Sequence, residues 1–273
     1  MKIAVASGKG GTGKTTVAVN LAYFNDLELV DLDVEEPNAH IFIKGKVDSE
    51  EAFTFSPVVL KDKCTLCGVC RDACAFHAIL IFDEVEILTE LCHSCKACMY
   101  LCPEKAIIEG GRKIGEVKTV RNKIKLTYGQ LRVGEASAVP LIKRVKEKID
   151  GIGGNVEKDL IIDCPPGNSC PVVESIEGSD FVILVAEPSP FSLHDVKLTI
   201  ELVKNFGIDY GVVINKYGLP FDIEGELRSL GVEILGKIPF STETAEKYSK
   251  GFLMAEYEEI FKDIYNRVRR LGR

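Results

Sequence analysis

The chain has 273 residues, of which 46% are hydrophobic and 27% charged, the composition of an ordinary globular protein. Its net charge of −7 and sequence pI near 5.3 argue against a general nucleic-acid-binding surface. The sequence opens on a strand-like run that passes directly into glycines, which leaves no room for a signal peptide, and no apolar run reaches the ~18 residues of a membrane span. These features predict a cytoplasmic protein without nucleic-acid partners.

A glycine-rich loop follows the first apolar run, Ile3–Ala6, and precedes a helical pattern over about Lys14–Phe24. Residues 8–15 fit the pattern G-x-x-x-x-G-K-[ST], in which glycines let backbone N–H groups turn toward phosphates. Lys14 is expected to reach the β- and γ-phosphates and the Thr15 hydroxyl to bind Mg²⁺. The predicted nucleotide-binding residues are Gly8, Lys9, Gly10, Gly11, Thr12, Gly13, Lys14, Thr15 and Thr16.

Two further apolar runs end in aspartates. Leu27–Leu32 is a predicted buried strand that contains Asp31 and is followed by Asp33, and Leu160–Asp163 is another that continues as Cys-Pro-Pro-Gly. Carboxylates at strand ends can hold Mg²⁺, in part through water, and can orient an attacking water molecule. For Asp31, a role in capping the strand end is the alternative.

Eight of the ten cysteines form an internal repeat with an offset of 28 residues. Each copy has the spacing C-x₂-C-x₂-C-x₃-C of bacterial ferredoxins, in which the fourth cysteine ligates the other cluster. The repeat therefore predicts two [4Fe–4S] clusters with crossed ligands. Cluster 1 is predicted on Cys64, Cys67, Cys70 and Cys102, and cluster 2 on Cys92, Cys95, Cys98 and Cys74.

Zinc and disulfides are the competing interpretations of these cysteines. Zinc sites also use C-x₂-C pairs, but zinc ribbons usually space two separate pairs instead of three cysteines plus one. Disulfide frameworks belong to small secreted domains. One departure from the ferredoxin pattern is Ala75, which stands where the first copy would carry proline, and it removes no ligand.

The second half of the chain alternates strands and helices. Phe181–Ala186 and Tyr210–Ile214 are predicted strands around a helix over about Leu193–Asn205, for which Ser192 and Asp195 form a predicted capping box. Continuous apolar strands separated by helices indicate a mostly parallel sheet covered on both faces. The predicted fold class is therefore α/β, a doubly wound P-loop sheet.

The cysteine repeat interrupts this α/β pattern. We predict a P-loop domain over residues 1–57 and 116–273, with Lys123–Val133 returning the chain to the sheet. Residues 58–115 are predicted to form an inserted α+β, ferredoxin-like module.

A lysine inside the loop, Lys9, makes it read K-G-G-x-G-K-[ST]. This deviant Walker A motif resembles that of the MinD/ParA/Mrp/nitrogenase-iron-protein class. With the cysteine insertion, essentially the whole chain resembles MinD-superfamily P-loop ATPases that contain an inserted ferredoxin domain. The resemblance implies ATP hydrolysis and a homodimer in which Lys9 contacts the partner subunit's nucleotide, whereas a solvated loop lysine is the alternative.

The same resemblance implies roles for the remaining site residues. Asp163 and Asp31 are expected to bind Mg²⁺, and Asp33 is expected to act on the hydrolytic water. Three residues match positions that recognise adenine in this class, although each could equally be an ordinary loop residue: Asn215, Lys216 and Pro239.

Cys164, Cys170 and the last helix lie outside these motifs. Cys164 is expected to be a small buried apolar residue, and Cys170 resembles in its placement a cluster-bridging cysteine of the nitrogenase iron protein, whose second bridging cysteine has no counterpart here. The helix near the C-terminus resembles the membrane anchor of MinD, but core packing of its apolar side is the preferred interpretation. That side consists of Tyr257, Ile260, Phe261, Ile264, Val268 and Leu271.

Three functions remain open at this stage. Dimer closure driven by ATP could gate electron transfer through the clusters to an unidentified redox partner, as the resemblance to the nitrogenase iron protein implies. The protein could instead deliver clusters to an Fe–S client, as Mrp-type carriers do, or position other molecules while its clusters are structural. Redox coupling is preferred, because clusters fully ligated by eight cysteines are poor cargo and the carriers' C-terminal C-x-x-C is missing here.

Overall fold

The computed structural model describes residues 1–151 and 158–272. Over these residues it has a nine-stranded central sheet and a separate two-stranded hairpin. The strands are β1 (Lys2–Ala6), β2 (Glu28–Asp31), β3 (Lys46–Val59), β4 (Ile79–Ile81), β5 (Val85–Ile87), β6 (Ile107–Arg121), β7 (Lys125–Leu131), β8 (Leu160–Asp163), β9 (Phe181–Ala186), β10 (Asp209–Tyr217) and β11 (Ile234–Pro239).

The central sheet has the strand order β11-β10-β9-β1-β8-β2-β7-β6-β3. All pairs from β11 to β7 are parallel, and the last two pairs, β7–β6 and β6–β3, are antiparallel. The neighbouring central strands β1 and β9 are buried along almost their whole length, as expected when helices cover both faces of a parallel sheet. The prediction of a mostly parallel α/β sheet is confirmed.

Helices pack on both faces of this sheet and enclose two apolar cores. The helices are α1 (Lys14–Phe24), α2 (Val69–Asp72), α3 (Ala97–Tyr100), α4 (Val139–Gly151), α5 (Cys170–Ile176), α6 (Pro190–Asn205), α7 (Ile223–Ser229), α8 (Thr242–Ser249) and α9 (Glu258–Leu271). One core lies between the sheet and α1 and α9, and the other lies between the sheet and α4, α5, α6 and α7.

Two expectations about helices can be compared with the structure. Helix α6 begins at Pro190, and its N-cap is Ser189, whose hydroxyl accepts a hydrogen bond from the Ser192 backbone N–H. The predicted capping box of Ser192 and Asp195 is therefore wrong, because proline favours the first helical position and moves the start three residues earlier. Phe261, Ile264 and Val268 of α9 are buried in the core, as the preferred interpretation requires, whereas Leu271 of the predicted apolar side is 42% exposed. Within the described ranges, no helix has the length and apolar character needed to cross a membrane.

The sheet extends on one side into a two-stranded arm. Strands β3 and β6 pair along their whole lengths, whereas β7 pairs with β6 only from Gly115 onward. We call the part without β7, Phe53–Val59 paired with Ile107–Lys113, the arm, and residues 60–106 at its end the cysteine module. The predicted insertion, 58–115, thus has both boundaries inside paired strands, and its status as a separate domain stays a prediction.

The cysteine module repeats its backbone as well as its sequence. Helices α2 and α3 are separated by the same 28 residues as the cysteines. Residues with positive φ recur at this offset as three pairs: Leu66 and Ser94, Gly68 and Lys96, His77 and Lys105. A left-handed conformation costs a residue other than glycine about 1–3 kcal/mol, so both loops are held in this shape by their surroundings.

Candidate functional site

The C-terminal ends of the parallel strands surround a cavity of about 570 Å³. Such ends are where open α/β sheets bind ligands. Its lining contains most of the predicted nucleotide-binding residues: Lys9, Gly10, Gly11, Thr12, Gly13, Lys14, Thr15, Thr16, Asp33, Asn215, Lys216 and Pro239. Of the other predicted residues, Gly8 packs against Asp195, and Asp31 and Asp163 lie fully buried beside the cavity.

The loop between β1 and α1 has a backbone that only glycine accommodates easily at two positions. Gly11 and Gly13 have φ values of 81° and 89°. A Cβ atom at Gly13 would also collide with the Asn215 side chain, whose Nδ2 donates a 2.7 Å hydrogen bond to the Thr12 carbonyl. Asn215 therefore has a structural role in holding the loop, whether or not it also contacts a base.

A buried ion pair lies beneath the loop. Lys14 Nζ is 2.7 Å from Asp163 Oδ1, and the two side chains are 6% and 0% exposed. Burial lowers the pKa of Lys14, but the neighbouring Asp163 carboxylate outweighs this and keeps that pKa above its usual value. The second oxygen of Asp163 is buried and has no hydrogen-bond partner in the described part of the chain, so it is a donor atom suited to Mg²⁺.

Asp31, the last residue of β2, and Asp33, two residues beyond it, have different surroundings. Asp31 is fully buried, and its oxygens accept hydrogen bonds from the backbone N–H groups of Asp33, Asn38 and Ala39 at 3.0–3.1 Å. Burial, with the nearby Asp163, raises the pKa of Asp31 to about 8. These bonds suit the capping alternative, in which Asp31 shapes the loop that carries Asp33. Asp33 itself faces the cavity, and partial burial raises its pKa to about 6.

Sequence reasoning missed Glu187, which bridges two lysines at the cavity. Glu187 Oε1 is 2.5 Å from Lys9 Nζ, and its Oε2 is 2.7 Å from Lys216 Nζ. Although burial acts in the opposite direction, the hydrogen bonds from these lysines lower the pKa of Glu187. Lys216 also donates a 2.8 Å hydrogen bond to the Gly11 carbonyl. Lys9 is thus held by an acidic residue of its own chain.

Aromatic residues that the sequence did not indicate complete the cavity. Tyr248 of α8 stacks on Phe42 with 4.4 Å between ring centroids, and Phe240 also lines the cavity. Burial raises the pKa of Tyr248 to about 12, which keeps its hydroxyl protonated. These rings add apolar surface to the wall of the cavity that the phosphate-binding loop also lines, and apolar or aromatic lining is typical of small-molecule sites.

The cysteine module contains two small cavities whose linings divide the eight cysteines. One is lined by Cys64, Cys67, Cys70 and Cys102, and the other by Cys74, Cys92, Cys95 and Cys98. Each set takes its fourth member from the other copy of the repeat. The two are also equivalent in detail, because the Ala78 and Ala106 backbone N–H groups donate to Cys74 and Cys102 Sγ at 3.4 and 3.3 Å.

The chemistry of these sets can be compared with zinc and with a cubane. Over residues 1–151 and 158–272, no three His, Cys, Asp or Glu side chains converge on a point where one metal ion could bind. Each set supplies four thiols, the number that one [4Fe–4S] cluster takes, with one cysteine on each of its four irons. Burial raises the pKa of the Cys98 thiol to about 11.

The remaining cysteines lie in the nucleotide-binding body. Cys164 follows Asp163 and is fully buried in the core, and burial raises its pKa to about 12. Cys170 is the first residue of α5 and is exposed. Cys164 thus has the surroundings expected of a small apolar residue, and Cys170 stays available at the surface.

A larger cavity, of about 740 Å³, lies at the other end of the strands, where β2 and β8 begin. Most of its charged groups already bind one another: Asp26 pairs with Lys158, and Asp159 with the Met1 amine and Arg269. Because these charges are satisfied within the protein, we place the functional site at the phosphate-binding loop.

The parallel sheet, the glycine loop and the buried Lys14–Asp163 pair define a P-loop nucleotide-binding protein. A family model described as the CobQ/CobB/MinD/ParA nucleotide binding domain matches residues 3–253. The chain belongs to this family, and the prediction that it is an ATPase is thereby confirmed.

Individual relatives agree with this assignment. The uncharacterized protein MJ0579 of Methanocaldococcus jannaschii is 30% identical, over 95% of this chain and 93% of its own. An iron-sulfur cluster carrier protein of Pyrococcus horikoshii is 26% identical over 94% of this chain and 80% of its own. Among solved structures, the septum site-determining protein MinD from Pyrococcus horikoshii, complexed with Mg-ADP, has a TM-score of 0.61 at 18% identity, over 99% of this chain and 96% of its own.

Proposed function

We propose that this ATPase couples ATP-driven dimer closure to electron transfer through two [4Fe–4S] clusters bound by the cysteine module. The observation that carries the proposal is the division of eight cysteines into two equivalent cavities, each lined by the crossed set that the repeat predicts. When bound, the clusters would supply one-electron transfer at low potential.

The nucleotide-binding residues would act on ATP through position and charge. Lys14 would leave its pair with Asp163 to contact the β- and γ-phosphates, while the Thr15 hydroxyl and the free Asp163 oxygen would hold Mg²⁺. Asp33 would orient the attacking water at the cavity wall, and Asp31 would fix the loop that carries Asp33. Asn215, Lys216 and Pro239 lie where they could contact the base or ribose.

The homodimer is part of the same proposal. Lys9 lines the cavity with its side chain 31% exposed, so that a second subunit could contact it, and Glu187 is its partner within the chain. Transfer of the Lys9 ammonium from Glu187 to a phosphate of the partner's nucleotide would exchange one ion pair for another. The resemblance to MinD-type ATPases supports this exchange.

Metal analysis of anaerobically prepared protein tests the clusters. We expect about eight iron and eight sulfide per chain. Cys70→Ser and Cys98→Ser should each lower the iron content to about four, because each removes a ligand from one cubane. Cys170→Ser is the matched control and should keep the full content. Two zinc ions and no sulfide would refute the proposal.

Cluster delivery is the second candidate, because several relatives at 25–27% identity are named iron-sulfur cluster carrier proteins. The two functions differ in whether clusters leave. Loaded protein is mixed with an apo-ferredoxin, with and without Mg-ATP, separated, and both are analysed for iron. Retention of iron with reversible reduction by dithionite supports electron transfer, whereas ATP-dependent loss of iron to the acceptor supports delivery.

A further inference from the structure

A buried arginine connects the cysteine module to the nucleotide-binding body. Arg112 lies on the arm strand β6, and its side chain is 13% exposed. One of its terminal nitrogens pairs with Glu135, and the other donates a 3.1 Å hydrogen bond to the carbonyl of Cys92, a proposed ligand of cluster 2. Arg112 is therefore in contact with both parts of the molecule.

Glu135 fixes this arginine from the side of the body. It lies in the connection between β7 and α4, and its side chain is 1% exposed. Its other oxygen accepts a 3.1 Å hydrogen bond from Arg132 Nε. A carboxylate this deeply buried needs its cationic partners, because a buried charge that loses a partner strongly destabilises the fold. Arg112 and Glu135 must therefore keep their relative positions.

A hydrogen bond joins the start of the connection that carries Glu135 to the loop after β2, in which Asp33 lines the nucleotide cavity. The Leu131 N–H, at the end of β7, donates a 2.8 Å hydrogen bond to the carbonyl of Val34, the residue after Asp33. The Arg132 N–H in turn donates a 2.9 Å hydrogen bond to the Ile114 carbonyl on β6. A movement of the Asp33 loop on nucleotide binding would thus shift the backbone that carries both partners of the Arg112–Glu135 pair.

The link reaches only one of the two cluster sites. Cys64 is the residue equivalent to Cys92 in the repeat, and in the part of the chain that the structure describes no side chain donates to its carbonyl. The residue at the place of Arg112 is Glu84, which pairs with the exposed Lys61 instead. The cavity proposed for cluster 2 is lined by Phe55 and Pro57, whereas the cavity proposed for cluster 1 is lined by Val59, farther along the arm.

We propose that Arg112 is a positioning residue that, together with Glu135, transmits the state of the nucleotide site to the Cys92 loop. The inference rests on the proposed cluster-binding function. Because linkage is reciprocal, the redox state of the protein must then alter its affinity for nucleotide. The coupling passes to cluster 2 through the Cys92 backbone and leaves the Cys64 loop unchanged.

The test uses iron-loaded protein, a fluorescent non-hydrolysable ATP analogue and Mg²⁺ under anaerobic conditions. Nucleotide affinity is measured for oxidised and dithionite-reduced protein, and we expect a ratio of about 5–150-fold, the usual range of such coupling. Arg112→Lys keeps the charge but cannot reach Glu135 and the Cys92 carbonyl together, so the ratio should fall to within about twofold. Glu135→Gln should do the same.

Arg71→Lys is the matched control. Arg71 follows Cys70, a predicted ligand of cluster 1, is 54% exposed and, among the described residues, pairs only with its neighbour Asp72, so its replacement should leave the ratio unchanged. Hydrogen exchange gives a readout independent of redox state. Nucleotide should change exchange in residues 89–98 but not in 61–70, and Arg112→Lys should abolish the change.

The outcomes distinguish failure of cluster binding from failure of the coupling. Absence of iron would overturn the proposed function. Normal iron content with equal affinities in both redox states would leave cluster binding intact and overturn the coupling. A wild-type ratio that survives in both Arg112→Lys and Glu135→Gln would show that the coupling takes another route and would overturn the role of Arg112.

Discussion

The buried pair of Lys14 and Asp163 gives a prediction that can be worked from the structure. Their side chains are 6% and 0% exposed, and Asp163 accepts no other side-chain hydrogen bond within the described residues. Lys14→Met removes the cation and leaves the Asp163 carboxylate in the interior without a counter-charge and without a side-chain hydrogen bond. Breaking a buried pair in this way costs about 3–5 kcal/mol, a large part of the about 5–15 kcal/mol that stabilises a typical protein.

A double-mutant cycle measures the pair itself. Asp163→Asn alone should also destabilise the protein, but in combination with Lys14→Met it should recover about 2 kcal/mol, because the uncompensated charge is gone. The comparison pair is Lys9 and Glu187, which are 31% and 15% exposed. Lys9→Met should cost less than about 1 kcal/mol, since the pair is partly solvated and Glu187 retains Lys216.

The assay is urea unfolding of nucleotide-free protein at pH 7.5 under anaerobic conditions, followed by far-ultraviolet circular dichroism. Equal costs for Lys14→Met and Lys9→Met, or a cost below about 1 kcal/mol for Lys14→Met, would refute the reasoning. Such a result would mean that water or a conformational change compensates Asp163 once the lysine is removed.

Three further predictions concern the site. Since burial raises the pKa of Asp33 to about 6, ATP turnover should fall as the pH drops through 6, where the carboxyl takes up a proton; a flat profile between pH 5 and 8 would contradict its role toward water. Glu187→Gln should strengthen ATP-dependent dimerisation in analytical ultracentrifugation, because Lys9 no longer has to leave a carboxylate, and unchanged association would contradict that. Cys74→Ser should remove the electron paramagnetic resonance signal of reduced cluster 2, because Cys74 is its predicted fourth ligand. Loss of the cluster 1 signal instead would contradict the crossed assignment.

The parts of the molecule that the sequence predicted depend on local patterns. The glycine loop with Lys14 needs only a strand before it and a helix after it, and the apolar runs of the parallel strands are continuous because both faces are covered. The cysteine repeat predicts which four side chains should share a cavity, because each copy has the spacing of a ferredoxin motif and the motif assigns its fourth cysteine to the other copy. Each of these features can be predicted from a motif within one continuous stretch of sequence.

The residues that sequence reasoning missed act through partners far along the chain. Glu187 is 178 residues from Lys9, and nothing in the segment Ala-Glu-Pro-Ser indicates that its carboxylate will meet a lysine of the loop. Tyr248 reaches the cavity only because α8 folds back over it. The start of α6 could have been found, because the Ser-Pro pair at Ser189 and Pro190 is a common helix beginning.

The shape of the arm explains why side chains at its base should matter for coupling. A two-stranded ribbon is only marginally stable by itself, so the direction of the arm cannot be set by its backbone pairing alone. Its base is bonded to the body by Arg112 with Glu135, and by Arg144, which donates a 3.1 Å hydrogen bond to the Phe53 carbonyl. The Arg144 side chain is 53% exposed and pairs with Glu147, whereas the Arg112 pair is buried. The buried pair is therefore the contact whose loss should most change the position of the cysteine module relative to the nucleotide site.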